Sequence, residues 1–158
     1  MKYEFAPDLQ EVAEDVSRLL FPHVKIGHVK CFRSYGSSSR STIARCHTIG
    51  KLMQKAMGVD AFYALEFLSE RFDKLSEEEQ VKTIIHELMH IPKAFGGGFR
   101  HHDFVCDKNI DKCYVNYTEN KKESNEDFFN IEKLKWNNKK NWDSLNNMKN
   151  EENNFFKL

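Results

Sequence analysis

Residues 74 to 92, KLSEEEQVKTIIHELMHIP, constrain the chain more than any other stretch, because they specify both ends and both faces of one helix. Ser76 followed three residues later by Glu79 forms a capping box, and Glu77, Glu78 and Glu79 occupy the turn where the helix dipole favours negative charge. The helix is expected to start at about Glu77 and to run until Pro92, which lacks an amide proton and forbids continuation. At about 100° per residue, Val81, Ile84, Ile85, Leu88, Met89 and Ile91 fill an arc of roughly 160°. His86, Glu87 and His90 share an arc of roughly 100° on the other side. The helix therefore has a core face and a separate chemical face.

The chemical face carries the pattern His86-Glu87-Leu88-Met89-His90. One helical turn separates the two imidazoles and leaves them on one side, able to hold one ion from two directions. A chance HExxH turns up in roughly one chain of this length in a few hundred, so its setting decides its weight. Two histidines alone bind zinc weakly, and a third ligand is required. His101 and His102 follow PKAFGGGFR, in which Pro92 ends the helix and Gly96, Gly97 and Gly98 allow the chain to reverse. A further helix is expected from His102 to about Tyr117. His102 then lies one turn before Cys106, close to the inward face marked by Cys113, whereas His101 points off it. His102 is the favoured third ligand, with His101 the alternative and Asp103 a weaker candidate.

Three neutral imidazoles with a fourth position open let zinc, the metal such sites usually select, lower the pKa of its bound water to about 7. Glu87 would accept that water's proton and return it to the leaving amine, which is hydrolysis of a peptide bond. Arg100, Tyr114 and Tyr117 are the candidates for an oxyanion donor.

Elsewhere, PDLQEVAEDVSRLLF (7 to 21) has the spacing of an amphipathic helix, with Pro7 in its first turn. Residues 28 to 49, two short runs around GSSS, read as a hairpin, and GKLMQKAMG as a short helix closed by Gly58. AFYALEFL (61 to 68) reads as a strand covered on both faces, either the substrate-aligning edge strand or a central one. Residues 118 to 158 are an Asn/Lys/Glu-rich tail, partly helical or disordered, with a marginal helix near 126 to 136. The domain expected is thus 1 to 117.

Charge is balanced, 24 basic against 24 acidic residues, so the whole chain gives no argument for a polyanionic or membrane partner. Its distribution is uneven: no acid lies between Asp15 and Asp60, and nucleic-acid contact through the basic segment 18 to 55 is one expectation, a solvated hairpin the blander one. MKYEFAPDLQ lacks the apolar run of a signal peptide or anchor, and no stretch approaches spanning length. A cytoplasmic protein is expected, with Cys31, Cys46, Cys106 and Cys113 as free thiols.

SERFDKLSEEEQVKTIIHELMHIP, the later Gly97-Gly98-Phe99-Arg100-His101-His102, and CFRSYGSSSR with IARCH upstream resemble a family of small archaeal and phage metallopeptidases with a zincin-like core. The resemblance spans about residues 25 to 117. It implies an α+β fold: a twisted mixed sheet, an active-site helix bearing HExxH, flanking helices, and zinc beneath an edge strand along which peptides bind. The family pattern of Arg, any residue, then His agrees with His102. The metzincin spacing HExxHxxGxxH is absent. Two other readings stand beside the zinc peptidase. One is a YbeY-like metal-dependent endoribonuclease, which resembles this chain in its three histidines but lacks a glutamate directly after the first. The other is a non-catalytic zinc-stabilised binding module.

Overall fold

The computed structural model describes residues 1–125. In chain order the elements are β1 (Lys2–Phe5), α1 (Pro7–Leu20), β2 (Val29–Tyr35), β3 (Ala44–Thr48), α2 (Lys51–Met57), β4 (Tyr63–Leu68), α3 (Ser69–Phe72) and α4 (Glu77–Met89). A fifth helix, α5, begins at 107 and is followed to 125. Among the described residues the architecture is α+β, with one four-stranded mixed sheet in the order β1-β2-β4-β3. The first compact unit is Met1–Thr118 and the second Glu119–Leu158. The marginal helix expected near 126 to 136 lies outside the described residues.

β4 is the central strand, and this overturns the hairpin expected over 28 to 49. β2 pairs with β4 in parallel and β3 pairs with it antiparallel, so β4 sits between the two runs that a hairpin would have joined. The physical reason is burial: Tyr63, Leu65, Phe67 and Leu68 are at most 1% exposed, and an edge position would leave such a strand's backbone unpaired on one side. Residues 36–43 between β2 and β3 are too many for the two-residue turn that enforces hairpin pairing. β3, not β4, is therefore an edge strand, with β1 at the opposite edge. β1 has no counterpart in the sequence reading: KYEF alternates polar and aromatic residues, but all four are exposed, so burial does not mark it as a strand.

The core lies between the sheet and the helices. Leu9, Ala13 and Val16 of α1 and Ile84, Ile85 and Leu88 of α4 pack with Val29, Cys31 and Leu65. Gln10 of α1, itself buried, completes the backbone of β2: its amide donates to the Val29 carbonyl at 3.0 Å and its oxygen accepts from the Cys31 amide at 2.9 Å. Arg33 on β2 makes a bidentate pair with Asp8 of α1 at 2.7 Å and a 3.1 Å contact with Asp73 before α4. The apolar arc of α4 is thereby fixed inward, which leaves its histidine face turned toward β3. No helix among the described residues is long and apolar enough to cross a membrane.

Candidate metal centre

The start of α4 is as the sequence specifies, with the Ser76 hydroxyl accepting from the Glu79 amide at 3.3 Å. Its end comes earlier, at Met89, with His90 as the C-cap. The next helix also departs from expectation. It starts at 107, not 102, and His102 lies in the preceding turn. The helical register that favoured His102 is therefore not the reason for its position.

What brings His102 back is a backbone clasp. The Arg100 amide donates to the His90 carbonyl at 2.7 Å, while the His90 ring Nδ1 donates to the Arg100 carbonyl at 2.7 Å. The residue after Arg100 but one is thus carried alongside the end of α4. The clasp rests on the glycine turn, where Tyr63 Oη donates to the Gly98 carbonyl at 2.9 Å and accepts from the Gly97 amide at 3.1 Å. Gln54 of α2 donates to the Gly96 carbonyl at 3.0 Å, and His23 holds the Ile91 carbonyl at 3.1 Å.

The result is a convergence of three rings. The centroids of His86 and His90 are 5.0 Å apart, those of His86 and His102 5.7 Å, and those of His90 and His102 4.8 Å. One ligand atom from each lies within 4.8 Å of the others, so the three could hold a single metal ion. His101 and Asp103 are not in this group. Because a carbonyl can only accept, His90 Nδ1 carries the proton and Nε2 keeps the lone pair a metal needs. Burial, with His90 and His102 beside it, pushes His86 down to about 4, and burial lowers His90 as well. Neutral imidazoles at neutral pH are what a ligand set requires, so the donor set fits a borderline-soft divalent ion.

Glu87 is 5% exposed, its carboxylate makes no hydrogen bond with any described residue, and burial lifts its carboxyl to about 7. It borders two cavities that meet at the imidazoles, of about 720 Å³ and about 350 Å³. Of the three oxyanion candidates, Arg100 borders the smaller cavity, its guanidinium 3.3 Å from the centre of the Phe104 ring. Tyr114 lies beneath Lys82, and the Tyr117 hydroxyl donates to Asp15 of α1 at 2.8 Å. Neither tyrosine borders those cavities.

The basic segment is partly neutralised. Arg18 pairs with Asp15, Arg33 with Asp8 and Asp73, and Arg45 with Glu66, so three of its eight cations are held by carboxylates outside it. All four cysteines are free, with Cys31 in the core and pushed up to about 12 by burial.

Compared with known families, residues 1–107 match the family described as "Putative phage metallopeptidase". Neither the curated proteins nor the solved structures return a match. The matched span includes all three converging histidines and Glu87.

Proposed function

The chain belongs to that family of phage metallopeptidases, and on this footing we propose that it is a zinc-dependent peptidase with a small zincin-like core. The observation that carries the reading is the convergence of three imidazoles from two separate segments beside a buried, unpartnered carboxylate. His86, His90 and His102 would hold the ion, and zinc is the divalent metal that an all-imidazole set with an open position most often selects. When bound there, zinc supplies Lewis acidity to a peptide carbonyl and lowers the pKa of water.

Glu87 is the general base. With no hydrogen-bond partner among the described residues, its carboxylate oxygens are available to a water entering from either cavity, and it takes the proton that water loses on attacking the carbonyl carbon. It then returns that proton to the amine nitrogen as the C–N bond breaks. Arg100, which borders the smaller cavity, would receive developing oxyanion charge. The exposed edge of β3 borders both cavities through Ala44, and an extended peptide can add to it by backbone hydrogen bonds. The substrate is accordingly a peptide or an unfolded protein segment.

Glu87→Gln tests the assignment. Purified zinc-loaded protein should hydrolyse unstructured peptides and leave RNA intact. The variant should keep its zinc, measured by elemental mass spectrometry, and lose roughly 10²- to 10⁴-fold in kcat. Unaltered peptide cleavage by the variant would refute the role given to Glu87, and cleavage of RNA alone would support the ribonuclease instead.

A further inference from the structure

The two cavities that meet at the imidazoles differ in charge. The larger follows the outer face of α4, where Glu79, Thr83 and His86 succeed one another at steps of four and three residues, and it is closed by the start of α5. Among the described residues Lys82 is the one Lys or Arg bordering it, and that ammonium is already held by Glu78 at 2.8 Å and Asp111 at 3.0 Å. Glu79 and Asp107 border the same cavity and have no ion-pair partner among the described residues. On the smaller side, Arg45 is taken by Glu66, whereas Arg100 has no carboxylate partner among the described residues. Glu87, nine-tenths buried and unpartnered, faces the junction of the two halves and marks where a ligand must lie.

Resting on the peptidase reading above, we propose that this cleft sorts peptides by charge: Glu79 and Asp107 select a lysine or arginine side chain on one side of the scissile bond. Glu79 lies two turns before His86, roughly 10 Å along the helix at 1.5 Å per residue. An extended peptide advances roughly 3.3 Å per residue, so the favoured basic residue falls within about three positions of the bond. Arg100 repels the same cation on the opposite side, which makes the preference directional. Asp111 does not take part, because Lys82 already holds it.

Two solvent-exposed charge contacts correspond to about a tenfold preference in kcat/KM, weakening as salt screens them. The test uses the full zinc-loaded chain and a randomised synthetic peptide mixture, with cleaved bonds read by mass spectrometry. A pair of peptides matched except for Lys against Gln at the selected position is then assayed at low and high salt. Lys or Arg should be enriched on one side of the cleaved bonds only, and the Lys/Gln ratio of kcat/KM should fall toward one in a Glu79→Gln/Asp107→Asn double variant. Glu79→Gln alone should lose about half of the preference on a logarithmic scale, a second readout should the double variant fold poorly. Equal rates for the paired peptides, or an undiminished ratio in the double variant, overturns the charge selection while leaving the peptidase intact. Cleavage of no peptide by the zinc-loaded chain overturns the peptidase reading, and the selection with it.

Discussion

Gly97 has no chemistry of its own, yet the position of His102 depends on it. Its φ is +91°, a conformation that a side chain rarely adopts, and a Cβ there would collide with the Gln54 amide and the Ile49 carbonyl. Gly97→Ala should therefore destabilise the fold by about 1–3 kcal/mol in denaturant melts, through combined backbone strain and overlap. It should also weaken zinc binding in a chelator competition, because the displaced turn carries the Arg100–His90 clasp. Zinc affinity unchanged in a destabilised variant would separate the turn from the site. The triple glycine was legible in the sequence as a reversal, but not which of the three needs the positive φ. Nor could the sequence show why His102 joins the cluster and His101 does not. The favoured residue is the one that the structure brings in, but through hydrogen bonds between His90 and Arg100, and not through the helical register first used to argue for it.

Among the elements, β3 matters most, since it is the open edge beside the imidazoles. Glu66 of β4 fastens it: the carboxylate is 3% exposed and takes hydrogen bonds from His47 at 2.7 Å and Arg45 at 3.3 Å. Burial alone would raise its pKa, but the Ser34 hydroxyl, His47 and Arg45 together outweigh that and hold it below the ordinary carboxylate value. A carboxyl depressed in the folded state contributes stability that is fully present above its unfolded pKa and is lost as pH falls through the folded one. Glu66→Gln should accordingly cost about 1–3 kcal/mol near neutral pH, with the deficit shrinking as pH is taken below the carboxylate range. A deficit that does not change with pH in denaturant melts would contradict this. Pattern alone identified α1, α2, β4 and α4, because each has a clear period or a cap. It paired β2 with β3 wrongly, since strand order is decided by which strand most needs both edges covered, a comparison across the whole sheet.

At the scale of the molecule, three stretches far apart in sequence form one cleft: the start of β3, the outer face of α4, and the segment from Phe99 into α5. The sheet and α1 make this possible by burying the apolar arc of α4, so that packing on one side orients chemistry on the other. HExxH and the later histidines were readable because local spacing determines them. The opposite charge of the two cavities was not, because it depends on which ions are already paired: Lys82 with Glu78 and Asp111, Arg45 with Glu66. Zinc-edge X-ray absorption on the full chain tests the centre most directly. The prediction is stoichiometric zinc with three imidazole nitrogens at about 2.0–2.1 Å, one further light atom and no sulfur, and loss of one imidazole in His102→Ala but not in His101→Ala. Sulfur in the coordination shell, or a full imidazole set in His102→Ala, would contradict it.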